Sequence, residues 1–146
     1  MTTKIKHSIK PAVYVIFRKD NDLLLALRQN TGYCDGQYSL VSGHVEKGES
    51  VYDAAIRETK EEAGVEIETK NLELVHTMFR IESEYIDFFF IAKAWQGDFV
   101  NTEPQKCAEL KWFPINQLPA NTIPFIKEAI GSYLNGTTFS EYREEE

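Results

Sequence analysis

An α/β domain with a mixed β-sheet covered by helices is the fold class that the sequence predicts, and three observations predict it. Segments rich in β-branched and aromatic residues recur along the chain, at "AVYVIFRK", "LLLALRQ", "LELVHTMFRI" and "YIDFFFIAKAW". Two other segments, 50–64 and 124–134, place apolar residues at helical spacing instead. Strands and helices are interspersed without strict alternation, which points to a mixed rather than a wholly parallel sheet. At 146 residues, 42% of them apolar, the chain has length and core enough for one domain spanning 1–146.

Taken in order, Ala12 to Lys19 reads as a strand, Asp20 to Asp22 as a turn, and Leu23 to Gln29 as the returning strand of a hairpin. "NTGYCDGQ" is a polar loop, and "YSLVSG" a short strand ending at Gly43. The first helix starts at Ser50, an N-cap residue with Asp53 three positions on, and Val51, Ala54, Ala55, Thr59 and Ala63 face the core. Gly64 suits the left-handed cap that ends it. Two strands joined by "ESE" follow, then the short strand "LKWFPI". Pro124 opens a closing helix that buries Phe125, Ala129, Ile130 and Tyr133. The tail, about 137–146, is expected to be solvated and flexible.

Charge and composition exclude several function classes. A net charge of −7 weighs against a grip on long nucleic acid, which needs a basic face. No apolar run approaches the roughly 20 residues of a membrane span, and the basic start "MTTKIKHSIK" runs into a strand pattern rather than a signal peptide. Cys34 and Cys107 form neither a metal-type pair nor a disulfide framework, so a cytoplasmic, reducing setting is expected.

The chemistry concentrates in "GHVEKGESVYDAAIRETKEEAGV", Gly43 to Val65. On a helix Glu58 neighbours both Glu61 and Glu62, and like charges at that spacing repel. A solvated acidic face is the plain alternative. Thr59 and Ala63 lie beside these acids, however, which brings at least one glutamate to the core boundary, where the repulsion needs a cation. Arg57 neutralises only part of it. Mg²⁺, a hard cation that prefers carboxylate oxygens and also takes substrate phosphates, is the natural counter-ion.

The same stretch resembles the signature box of the Nudix hydrolases: Gly43, Glu49, Arg57, Glu58, Glu61, Glu62, Gly64 and Val65 all match it at the family's spacing. Thr59 departs mildly, at an apolar slot, and Val41-Ser42 stands where many members have Pro-Gly. The resemblance implies the Nudix fold, an α/β/α sandwich with a mixed sheet, and hydrolysis of a nucleoside diphosphate linked to another group, with Mg²⁺ or Mn²⁺. It assigns Glu58, Glu61 and Glu62 to metal positions, the Ser42 carbonyl to another, Arg57 to orienting the acids, and Glu49 to closing the loop on the helix. Glu61, Glu62 or a downstream acid would take the proton of the attacking water. The resemblance also makes a homodimer possible.

Weaker resemblances point to the MutT-like triphosphate pyrophosphohydrolases of that family. "WQGDFVNTE" puts Glu103 at a downstream metal position, with Glu109 as its rival; "LPANTIPF" puts Asn121 where a base is read; and Arg28 stands at a nucleotide contact. Glu103 as a solvated loop acid, Asn121 as a turn former and Arg28 in a surface ion pair are the alternatives. His44 is a candidate phosphate contact, and Phe79, Tyr85, Phe88 and Trp95 a candidate stacking wall, although strand aromatics usually serve the core. The expected substrate is a normal or oxidised nucleoside triphosphate. The alternatives are ADP-ribose, a nucleotide sugar or a dinucleoside polyphosphate, and, in another class, a non-catalytic nucleotide-binding module.

Overall fold

In the structure, a computed structural model describing residues 6–144, the strands divide between two sheets. The first holds five: β1 (Lys10–Ile16), β5 (Val41–His44), β7 (Tyr85–Ala92), β6 (Leu72–Arg80) and β9 (Phe139–Tyr142), in the order β5-β1-β7-β6-β9. It is mixed, since β1 runs parallel to β7 and β6 to β9, while β1/β5 and β6/β7 are antiparallel. In the second sheet β3 (Asp22–Arg28) pairs antiparallel with β2 (Arg18–Lys19), β4 (Tyr38–Ser39) and β8 (Cys107–Pro114).

Alternate residues of β1 point to opposite faces, and each face carries a helix. Val13, Val15 and Phe17 pack with Ala54, Ala55 and Ala63 of α1 (Val51–Ala63). Ala12, Tyr14 and Ile16 pack with Phe125, Ile126 and Ile130 of α2 (Pro124–Asn135). The expected α/β class with a mixed sheet between helices therefore holds. The α1 caps are those its sequence encodes: the Ser50 side chain accepts from the Asp53 N–H at 3.0 Å, and Gly64 sits at φ 74°. No helix among the described residues is long and apolar enough to cross a membrane.

Four sequence expectations change. The strand read over 12–19 breaks at Phe17, where the chain leaves the first sheet for the second. "YSLVSG" likewise divides at Leu40 into β4 and β5, one in each sheet. Phe17 and Leu40 are buried, so apolar content alone reads through them; the change of hydrogen-bonding partners is non-local. Tyr133 is half-buried, its hydroxyl accepting from Arg18 at 3.3 Å. The tail expected to be flexible over 137–146 instead supplies β9. His76, 1% exposed, explains why: it donates from Nδ1 to the Thr137 carbonyl and pairs through Nε2 with the Ser140 hydroxyl, both at 2.7 Å. The end of the tail, 145–146, lies outside the described residues.

Candidate active site

The site forms where β5 runs into the loop before α1. Gly48, at φ 81°, lets that loop turn back over the helix. Arg57 then ties loop to helix. It grips Glu49 with two parallel hydrogen bonds, Nε to Oε2 at 2.8 Å and Nη2 to Oε1 at 3.0 Å, and donates to the His44 carbonyl at 3.0 Å. Its Nη1 reaches Glu58 at 2.7 Å and Glu61 at 3.2 Å. The guanidinium beside Glu49 pulls that carboxyl down to about 2, and the surrounding carboxylates raise Arg57 itself. Arg57 thus holds at one point the loop that covers the helix and the acids that the helix presents.

Gly43 makes room for Glu58, because a Cβ at position 43 would overlap the Glu58 carboxyl group. Glu62 folds inward and accepts from the Ser42 N–H at 2.9 Å. Burial pushes its carboxyl up to about 8; the Ser42 bond opposes this, and the charges of Glu58 and Glu103 add to it. Burial also raises Glu58 against the pull of Arg57, with Glu61 and Glu103 adding to the shift. These acids are crowded, partly desolvated and short of positive charge, which is the electrostatic condition a bound divalent cation relieves.

The metal fit has two sides. Glu58, Glu61, Glu62 and Glu103 are hard oxygen donors around one cleft, as Mg²⁺ requires. Yet among the described residues no three His, Cys, Asp or Glu side chains stand ready to hold an ion. The reason is visible in the hydrogen bonds: Glu58 and Glu61 point at Arg57, and Glu62 at Ser42. Binding a cation would turn these carboxylates from their present donors.

The acids line a cleft of about 730 Å³, the size of a nucleotide-scale ligand pocket. Arg28, Ser42, His44 and Glu103 line it too. Arg28 braces the 31–35 loop, donating to the Tyr33 carbonyl at 2.8 Å and the Thr31 hydroxyl at 3.1 Å. His44 stacks on Tyr85, and its Nε2 lies 2.8 Å from the Tyr85 hydroxyl. Of the two downstream acids Glu103 faces the cluster, whereas Glu109 accepts from the Tyr38 hydroxyl and is not in the cleft wall.

Asn121 is not in the cleft wall either: its side-chain amide donates to the Gly36 carbonyl at 2.9 Å and its backbone carbonyl accepts from the Tyr38 N–H at 3.0 Å. It shapes a turn against β4. Of the four aromatics considered for a stacking wall only Tyr85 lines the cleft, while Phe88 and Trp95 pack in the core beneath α1. The sequence reading missed Tyr14, Tyr33 and Arg80, which complete the cleft. A usable signal was present in one strand, because Asp87 interrupts the otherwise apolar "YIDFFFIA".

The fold and the acid-bearing loop–helix define a Nudix-type hydrolase site. The NUDIX domain family model matches residues 8–132, and the chain belongs to the Nudix hydrolase family. It is similar to the NAD-capped RNA hydrolase NudC of Shigella dysenteriae serotype 1, 32% identical over 116 residues, covering 80% of this chain and 43% of that one. NudC of Shigella flexneri is 33% identical over 111 residues, 76% of this chain and 41% of that one. The chain therefore spans less than half the length of these curated relatives. Among solved structures, a MutT Nudix hydrolase from Burkholderia pseudomallei superposes with a TM-score of 0.78 at 23% identity, covering 86% of this chain and 98% of that one. A MutT protein from Bacillus halodurans gives 0.75 at 20% identity, covering 92% and 90%. At these identities the structural likeness is one of fold.

Proposed function

We propose that the protein is a Mg²⁺-dependent pyrophosphohydrolase that cleaves a nucleoside triphosphate to the monophosphate and pyrophosphate. One observation carries the reading: Glu58, Glu62 and Glu103 crowd together, short of positive charge, in the wall of a nucleotide-sized cleft. Glu58, Glu61, Glu62, Glu103 and the Ser42 carbonyl would hold Mg²⁺, or Mn²⁺ in its place. Once bound, the metal supplies positive charge to the diphosphate oxygens and a water of lowered pKa. Arg57 keeps the α1 acids in register with the loop, and Glu49 keeps Arg57 in place. Glu61, at the cleft rim, and Glu62, beneath it, are the proton acceptors within reach of an attacking water. Arg28 and His44 flank the phosphates.

A second reading draws on the relatives named NAD-capped RNA hydrolase: the same acids would cleave a diphosphate that joins two nucleosides. ADP-ribose and nucleotide sugars belong with it. A non-catalytic module is the third reading, and retention of every acid of the box counts against it. A cytoplasmic enzyme, with both cysteines free, fits all of these.

The test is product analysis with Mg²⁺ over triphosphates, ADP-ribose, nucleotide sugars and dinucleotides, with Glu62→Gln as the blank. Pyrophosphate from triphosphates supports the leading reading. Two monophosphates from a dinucleotide, with no pyrophosphate from any triphosphate, replace it with the second.

A further inference from the structure

Arg80 is 2% exposed and yet contributes to the cleft wall. The strand register places it. Along one face of the five-stranded sheet, β5 presents Ser42 and His44, β1 presents Ala12 and Tyr14, β7 presents Tyr85 and Asp87, and β6 presents Arg80. Arg80 therefore lies three strand spacings from the strand that meets the acids, roughly 14 Å. That is about the reach from a diphosphate to the far edge of the base it carries.

The guanidinium is held rigidly. It lies 3.9 Å over the Phe125 ring and 4.5 Å over that of Tyr85. Nε donates to Asp87 at 2.6 Å, and Nη2 makes longer contacts, at 3.4 Å, to Asp87 and to the Tyr14 hydroxyl. Nη1 donates at 3.0 Å to the hydroxyl of Tyr33, a loop residue that is 48% exposed. Four of the anchoring groups belong to sheet or helix. Tyr33 alone sits on a surface loop, so it is the partner that a ligand can displace at least cost.

We propose that Arg80 is the base-reading residue of the cleft, that the Tyr33 hydroxyl accepts from it where the base would, and that the preferred substrates carry an oxo-purine such as hypoxanthine or guanine. Arginine offers donors and no acceptor. Its open edge matches a base that presents a carbonyl oxygen beside a ring nitrogen, and it opposes one that presents an amino group there. Asp87 cancels the charge of Arg80, so the pocket offers hydrogen bonds to a neutral group rather than an anion site. Tyr85, with His44 stacked on it, borders the path of the base between this point and the acids. The inference rests on the proposed function for the direction in which substrate lies.

The test is equilibrium binding of inosine 5′-monophosphate and adenosine 5′-monophosphate, which differ at the 6-position, to the Mg²⁺-loaded protein. The inosine nucleotide is expected to bind at least about ten-fold more tightly, which one unmatched buried donor accounts for. Arg80→Gln combined with Asp87→Asn, which leaves no unpaired charge, should bring the ratio close to one, with near-ultraviolet dichroism confirming the fold. Tyr33→Phe should tighten the inosine nucleotide a few-fold and leave the adenosine one unchanged. Equal binding of the two nucleotides, binding of neither, or a ratio that survives the double variant overturns the proposal. Hydrolysis without base preference would remove this subsite and leave the proposed function standing; base preference without hydrolysis would do the reverse.

Discussion

Gly43 and Glu58 share one space: the glutamate carboxyl group occupies the volume that a side chain at position 43 would need. The close approach joins β5 to α1 at the point where the acids gather. Gly43→Ala is therefore expected to push Glu58 off its present position and to lower kcat/KM by about 10- to 100-fold, the usual cost of disturbing the support of a metal-binding carboxylate. Steady-state kinetics and Mg²⁺ titration check it. An alanine variant with the parent's metal affinity would show that Glu58 can move without consequence.

Glu62 makes the site pH-dependent. Its carboxyl is raised to about 8 in the folded, metal-free protein, against about 4.5 as the reference for an exposed glutamate. The folded state then binds the proton more tightly than the unfolded state does. The contribution of Glu62 to stability is therefore fully present below about pH 4.5 and is lost as pH rises from there through about 8. Glu62→Gln keeps an oxygen for the Ser42 N–H and removes that loss, so at pH 8 the metal-free variant should be more stable by up to about 4 kcal/mol. Turnover should nearly vanish. Denaturant melts at pH 5 and pH 8 separate the effects; a variant that is less stable than the parent at both would contradict the burial argument.

Mg²⁺ binding should also release a proton near neutral pH, because a ligating carboxylate must be ionised. Affinity should rise between pH 6 and pH 8. Calorimetric titration in two buffers of different ionisation enthalpy reads the proton directly, and identical heats in both would count against Glu62 as a ligand.

Thr59 occupies an apolar slot of the box, and its hydroxyl is buried without a hydrogen-bond partner among the described residues. Thr59→Val keeps the shape and removes the unpaired oxygen, so it should raise stability by about 1 kcal/mol with no change in turnover. Thermal melting decides; destabilisation would mean that the hydroxyl has a partner, such as a buried water.

Asn121 supports a turn through its side-chain amide, which donates to the Gly36 carbonyl and is lost on truncation. Asn121→Ala should therefore cost stability and alter KM for purine and pyrimidine nucleotides alike. A rise confined to purines would return Asn121 to the role of base reader.

The box was legible in the sequence because its interactions are local. Ser50, Arg57, Glu58, Glu62 and Gly64 act through one helix and its adjoining loop, so spacing along the chain fixes who meets whom. The caps and the apolar stripe of α1 were readable for the same reason. Glu103 came from a looser resemblance, and only folding separates it from Glu109, which lies two strand positions into β8 and turns to Tyr38.

By itself, then, the sequence determined the α/β class, the acid-bearing loop–helix and the reaction type that such acids serve. Tertiary structure alone decided where the chain changes sheet at Phe17 and Leu40, that His76 draws the tail in as β9, and that Asn121 faces a turn. It alone brought Tyr33, Arg80 and Asp87 into the cleft system, from segments 47 and 54 positions apart, by the Arg80–Tyr33 contact and the register of β6 with β7. The physical reason is common to all of these. Hydrogen-bond partners between distant strands are chosen by packing of the whole domain, and no local periodicity encodes them.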